Sequence, residues 1–313
     1  MNPQELKAVL RGVIATPIVP TTPDGEVNLR AVEQLTEFII GGGLPGNGVL
    51  IPLSTTGEFF SVSDGEFEAV LETSIGAARG RVPVLAGTNH MDTAGVIRRA
   101  KRAEALGAAG VLVGPGFYFK PSRDEVLDHF RRLSDAIGIG IVVYDNSFAT
   151  QLHIDPALLA ELAELPNVVG TKYPTLDPAE MDLFMSLIGD RVNLLSMHGE
   201  GNEPAARLRG AAGFVTVIST FVPELDVRLE TLLRAGDYDG AVALSRALRP
   251  ILNLVARDGG GYIATVKAGT ILRGIEAGVP RPPIQPLPAA QVAQLSAAMT
   301  ALGIEVRVPA GIR

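Results

Sequence analysis

The stretch GIVVYDNSFATQLHIDPALLAELAELPNVVGTKYPT, residues 140–175, decides the fold. It opens on a short apolar run, "GIVVYD", and passes through turn residues into a helical segment. The start of that segment is marked by Asp155–Pro156, a capping acid before a first-turn proline. The stretch closes on a second apolar run, "VVGTKY". Both runs are almost continuously hydrophobic, as a parallel strand buried on both faces must be.

Working outward, the same unit of apolar run, turn and helical segment recurs along the chain. The other runs are "GVIATPIVP" from Gly12, "GVLIPL" from Gly48, "PVLAGT" from Pro83, "GVLVGP" from Gly110, "NLLSMHG" from Asn193 and "GFVTVIS" from Gly213, which makes eight units. Between them, apolar residues fall at three- and four-residue spacing. From Asp92 to Leu106, Val96, Ile97, Ala100, Ala103 and Leu106 share one face, with Arg98, Arg99, Lys101, Arg102 and Glu104 mostly outside it and Gly107 as the stop. Asp177–Pro178 marks another helix start.

Strict alternation of strand and helix leaves an open doubly wound sheet or a closed barrel. Eight units favour the barrel, and the first turn, "TPIVPTTPDGEVN", lacks the G-x-G-x-x-G of a dinucleotide site. "GGG" at Gly41 to Gly43 lies between a helix and a strand, where it ends the helix. The expected fold is α/β, a (β/α)8 TIM barrel over residues 1–235, with a C-terminal helical region over 236–313. The tail carries helical periodicity in "DYDGAVALSRALRPILNLVAR", "GYIATVKAGTILRGIEAG" and "LPAAQVAQLSAAMTALG", with "VPRPPIQPLP" as a connector.

With 313 residues, 47% of them hydrophobic and 19% charged, the chain has ample material for a core, so disorder is excluded. No run approaches the twenty apolar residues of a membrane span. A net charge of −7 with scattered basic residues offers no footprint for nucleic acid. The absence of Cys removes disulfides, thiolate nucleophiles and Cys-ligated metals at once. The beginning, "MNPQELKAVLRG", does not read as a secretory signal, so a cytoplasmic protein is expected.

In such a barrel the chemistry sits at the carboxyl ends of the strands. There the chain offers Thr16; Ser54, Thr55, Thr56 and Glu58; Thr88, Asn89 and His90; Tyr118; Tyr144 and Asp145; Lys172 and Tyr173; His198 and Glu200; Ser219 and Thr220. Lys172 stands out, because an ammonium at the end of a buried strand is disfavoured unless paired or deprotonated. It reads either as a Schiff-base nucleophile of class I aldolase type or as a lysine at the strand mouth that reaches water. Tyr144 ends the neighbouring strand, within reach for proton exchange with an imine. "STTGE" from Ser54 can hold a carboxylate through backbone N–H groups and hydroxyls, or can simply cap a helix. Glu58 is either a buried partner in that turn or a surface acid. His90 and His198 are too few and too scattered to suggest a metal.

At these residues the chain resembles the dihydrodipicolinate synthase / N-acetylneuraminate lyase family of pyruvate-type Schiff-base lyases on (β/α)8 barrels. "STTGEFF" is similar to the family's G-T-T-G-E turn, with Ser54 in the first glycine's place. "GPGFYFKPS" is similar to its aromatic segment, "VVYDNS" to its catalytic tyrosine strand, "VVGTKYPT" to its G-x-K strand, and "VKAGTILRGIEAGVPRPPIQPL" to its C-terminal shape. The resemblance implies that Lys172 forms the imine, Tyr144 is the general acid/base, Thr55 and Thr56 hold the 2-oxo acid's carboxylate, and the Thr56 hydroxyl joins a proton relay. It further implies that Tyr118 crosses a dimer interface into a neighbour's site, that Val215 packs on the keto acid, and that the assembly is a homotetramer built as a dimer of dimers. The implied partner is a small-molecule 2-oxo acid, with no cofactor and no metal.

One departure matters. Where the synthase branch has N-x-P-x-R after the tyrosine, the Arg gripping the carboxylate of aspartate semialdehyde, this chain reads "YDNSFAT", with Ala149 in the Arg position. The expected activity is therefore that of a lyase on pyruvate or a 2-keto-3-deoxy sugar acid, by aldol cleavage, condensation or dehydration. The alternatives are a dihydrodipicolinate synthase whose second carboxylate meets Lys120, Arg123 or Arg207, and a non-catalytic 2-oxo-acid-binding protein. Asn89 after the third strand, and Asp145, Asn146, Ser147, His198, Glu200, Ser219 and Thr220 after later ones, are candidates for selecting among these.

Overall fold

A computed structural model of the chain describes residues 1–116, 118–256 and 261–307. Phe117 of the aromatic segment, and residues 257–260 and 308–313 of the tail, lie outside the described residues.

Eight parallel strands form one sheet: β1 (Gly12–Ala15), β2 (Gly48–Leu50), β3 (Leu85–Gly87), β4 (Gly110–Val113), β5 (Gly140–Tyr144), β6 (Val168–Tyr173), β7 (Asn193–Ser196) and β8 (Gly213–Thr216). Their order is β2-β1-β8-β7-β6-β5-β4-β3. A parallel bridge between Leu50 and Val84 joins the two ends, so the sheet closes into a (β/α)8 TIM barrel with additional C-terminal helices. Each run in the sequence yields its strand. β3 starts at Leu85 rather than Pro83, whose nitrogen carries no proton for the ladder.

Two apolar cores follow from alternation along the strands. Inside the barrel, Ile14, Val49, Leu85, Leu112, Val142 and Leu195 pack together, and Leu6 and Leu10 at the N-terminal helix Pro3–Val9 join them. Outside, Val13, Val111, Val143 and Phe214 meet the surrounding helices. The helix Thr93–Ala105 is capped by Asp92 as its sequence asks, with Gly107 beyond it at a φ of +91°. Arg99 corrects the expected outer face, because it is buried, bonded to Asp64 and to the carbonyls of Asn89 and Val62.

β6 departs from simple alternation. Ile141 pairs with Val168 but Val142 with Gly170, so Val169 is an extra residue in the ladder, a bulge. Val168 belongs to the outer core and Val169 to the inner one. Without the bulge, counting in twos from Val169 would turn residue 172 outward; with it, Lys172 lies beside Tyr144 and faces the barrel mouth.

Beyond the barrel, the tail forms helices Tyr238–Ala247, Arg249–Val255, Gly261–Leu272 and Ala289–Ala301. The first tail segment divides at Leu248, since Pro250 cannot continue the preceding hydrogen bonding and takes an early helical position instead. Among the described residues, no helix is long and apolar enough to cross a membrane.

Candidate active site

The carboxyl ends of the strands open onto a cavity of about 640 Å³. Lys172 and Tyr144 meet there because β5 and β6 place them opposite one another in register. The Lys172 ammonium lies 4.2 Å from the centre of the Tyr144 ring, a cation held against a π face. Lys172 is 7% exposed, and among the described residues no carboxylate pairs with it. An amine in this setting is open to a carbonyl carbon, and the phenol beside it can exchange protons with the carbinolamine that results.

The turn after β2 faces this pair. Leu53 and Glu58, at φ of +62° and +53°, bracket it in the left-handed region that non-glycine residues avoid, which is backbone strain gathered at the cavity. Gly57 lets the turn fold tightly, since a Cβ there would lie 3.0 Å from the Leu53 backbone. The Thr55 hydroxyl lies 3.3 Å from the Tyr144 hydroxyl. Thr56 differs from the expected arrangement: its hydroxyl turns to Thr16, 3.5 Å away, and to Tyr262. The hydroxyl that touches Tyr144 is thus that of Thr55.

Glu58 is buried and paired with Lys267 at 3.0 Å, and it also accepts the Arg281 N–H. This pair ties the tail helix Gly261–Leu272 to the turn and brings Tyr262 and Ile263 to the cavity wall. Desolvation raises the Tyr262 phenol above its ordinary value, with the nearby Tyr144 adding to the shift. Sequence reasoning missed Tyr262 and Lys267. The available signal was a lysine in the otherwise apolar "YIATVKAGTIL", which a surface helix has no reason to bury.

Of the other expected residues, Val215, Asn89, Asn146 and Ala149 line the cavity. Tyr118 is 69% exposed, packs edge-on against Phe119, and lies outside this chain's own cavity. Asp145 turns away from the cavity to bind His153 and the Ile154 N–H. Glu200 is buried beside Asp226, where burial pushes both carboxyls up, and Ser219 and Thr220 are buried behind the wall. His198 binds the Pro174 carbonyl, and His90 sits against Asp92. Among the described residues, no group of three or more His, Cys, Asp or Glu is arranged to hold a metal ion.

The three cations considered for a second carboxylate are engaged elsewhere or stand apart. Arg207 bonds Glu203 and Glu230, Arg123 bonds Glu161, and the exposed Lys120 does not line the cavity. Much of the wall is apolar, with Phe59, Phe60, Pro115, Phe148, Met197 and Val217.

With this geometry in view, the comparisons with known proteins are informative. The sequence profile of the dihydrodipicolinate synthetase family matches residues 9–302. The chain is 33% identical to a 4-hydroxy-tetrahydrodipicolinate synthase of Acidiphilium cryptum, covering 95% of this chain and 99% of that one. It is 34% identical to a protein of the same name from Xanthomonas axonopodis, over 90% of this chain and 91% of that one. Among solved structures, dihydrodipicolinate synthase from Thermotoga maritima superimposes with a TM-score of 0.87 at 28% identity, over 94% of this chain and 99% of that one. A match across nearly the whole chain in sequence and in fold, with a lysine, a tyrosine and a hydroxyl turn sharing one cavity, makes this chain a lyase of class I aldolase type that belongs to the dihydrodipicolinate synthetase family.

Proposed function

We propose that the protein joins pyruvate to an aldehyde through an imine on Lys172, and that condensation with aspartate semialdehyde is the leading reaction. The sequence read residue by residue puts a broader activity first, on any 2-oxo acid, and the synthase second. The names of the curated relatives reverse that order, since both carry the synthase activity. In the chemistry proposed, the Lys172 amine attacks C2 of pyruvate and water leaves. The protonated imine then draws electrons from C3, and the enamine formed by losing a C3 proton attacks the aldehyde carbon. Tyr144, with Thr55 in contact, carries protons to and from the carbinolamine, while the turn at Thr55 and Thr56 holds the carboxylate and Val215 packs against the bound acid. On this reading residues 1–235 are the catalytic barrel and 236–313 a helical region that braces the site. A cytoplasmic dimer of dimers, with Tyr118 entering a neighbour's site, goes with it.

The observation that carries the proposal is the unpaired amine of Lys172 against the Tyr144 ring in the cavity. The convergence of these groups also argues against a binding-only protein. A second reading, cleavage or dehydration of a 2-keto-3-deoxy sugar acid, is favoured by Ala149 and by a cavity wall whose described residues include no Arg and no Lys other than Lys172. Borohydride trapping with pyruvate, read by intact mass and peptide mapping, tests the imine. A reduced adduct on Lys172, missing from Lys172→Ala, is expected; no adduct with pyruvate or longer 2-oxo acids would defeat the proposal. Consumption of aspartate semialdehyde by the trapped-competent enzyme then separates the two readings.

A further inference from the structure

Asn89, at the end of β3, is 5% exposed and lines the cavity that holds Lys172. Its carboxamide orientation is fixed chemically, because the Gly114 N–H lies 2.7 Å from Oδ1 and needs an acceptor. That leaves Nδ2 as the free end of the amide, buried and without a hydrogen-bond partner among the described residues. A buried amide donor left unpaired is costly, on the order of 1–3 kcal/mol.

The surroundings hold this donor in place. Gly114 leaves room for the contact, since a Cβ there would lie 3.1 Å from the Tyr144 carbonyl oxygen and 3.3 Å from Asn89 Oδ1, and those neighbours would have to give by a few tenths of an ångström. The Asn89 carbonyl accepts from the buried Arg99 at 3.1 Å, and Arg99 is itself anchored on Asp64 and Val62. A donor fixed from both its main chain and its side chain, with no partner among the described residues and on a residue that lines the cavity, is suited to an oxygen that arrives with substrate.

We propose that Asn89 Nδ2 donates a hydrogen bond to the C4 oxygen of the substrate. The inference rests on the Schiff-base reading above. The carboxylate has the hydroxyl turn and C2 has Lys172, so the next oxygen along the carbon chain is the one without an assigned donor. In condensation, the enamine C3 attacks the aldehyde carbon, the carbonyl π pair moves onto oxygen, and that oxygen takes a proton to become the C4 hydroxyl. Asn89 stabilises the charge that develops there, and Tyr144 is the proton source nearest at hand. A neutral donor suits an oxygen that is uncharged before and after the step.

Two acids that differ by this single oxygen, 4-hydroxy-2-oxobutanoate and 2-oxobutanoate, test the assignment by borohydride trapping over a concentration series. The trapped mass also separates an intact adduct from pyruvate released by cleavage. The wild type is expected to reach half-maximal trapping at about tenfold lower concentration of the hydroxylated acid, the worth of one hydrogen bond. Asn89→Asp keeps the oxygen that Gly114 requires and takes away the amide donor, so the ratio of the two half-maximal concentrations should fall from about ten to about one. Equal trapping of the two acids by the wild type, or a preference kept in the variant, would overturn the inference and leave the Schiff-base reading standing. Loss of both adducts in the variant would also overturn it, assigning Asn89 to the fold. No adduct in the wild type would remove the reading itself and this inference with it.

Discussion

Two lysines are buried in this protein, and their surroundings give them opposite work. Lys267, 1% exposed, has its ammonium fully engaged by Glu58 at 3.0 Å, the Val279 carbonyl at 3.0 Å and the Thr21 hydroxyl at 3.3 Å. Desolvation pulls its pKa down while Glu58 pulls it back up. Lys172 has a π face at 4.2 Å and the open cavity, with no carboxylate partner among the described residues. A buried ammonium with full partners is a fastener; an amine left facing an open cavity is placed to meet a carbonyl carbon. Glu58 connects the two, since it belongs to the turn that faces Lys172 and anchors the helix that carries Lys267.

The contrast can be broken by exchanging each amine for an apolar side chain of similar length. Lys172→Met should abolish turnover, by on the order of 10⁴-fold or more, while leaving the melting temperature close to that of the wild type. Lys267→Met should do the reverse, unfolding the protein more readily while retaining adduct formation at low temperature. Calorimetry alongside trapping reads both, and a large stability loss from Lys172→Met would erase the distinction drawn here.

Removing the acid instead sharpens the comparison. Glu58→Ala strands the Lys267 ammonium in the interior and should cost about 3–5 kcal/mol in denaturant unfolding. The double change with Lys267→Met should recover part of that loss, because the desolvated charge is gone. Strict additivity of the two single changes would show that the pair is not coupled.

The smallest effect is expected at a second pinned cation. His153 is held by Asp145 first and by Glu180, and its pKa is raised to about 9. Since the folded value lies above the unfolded one, the contribution is fully present below about pH 6.5 and fades as pH rises through 9. The melting temperature of the wild type should therefore fall between pH 6.5 and 9 more than that of His153→Gln. The imidazole is 40% exposed, so solvent screening keeps the difference modest. Parallel pH profiles would argue against a stabilising charge here.

Much of this arrangement is legible in the chain. Continuous apolar runs specify parallel strands, and Asp155–Pro156 and Asp177–Pro178 start helices where the sequence says they should. A lysine closing "VVGTK" next to a strand that ends in tyrosine points to the cavity before any coordinates are known. Other features have no local signature. Arg99 reads as an outer-face residue because helical period alone cannot reveal that Asp64, on another helix, waits for it. The resemblance gives the relay hydroxyl to Thr56, but a run of three hydroxyl residues does not say which one will meet Tyr144; in the structure the one within 3.3 Å of the Tyr144 hydroxyl is Thr55.

The sequence by itself determines the number of strands, their parallel direction and the chemical types at their ends, because periodicity, capping and turn chemistry act over a few residues. The tertiary structure decides which of those groups face one another. The bulge at Val169 is invisible in a uniformly apolar run, yet it sets whether Lys172 points at the cavity or at a helix. The helix Gly261–Leu272 brings Tyr262 to Thr56 across about two hundred residues of chain. Both depend on packing between segments far apart in sequence, and only closure of the barrel brings those segments together.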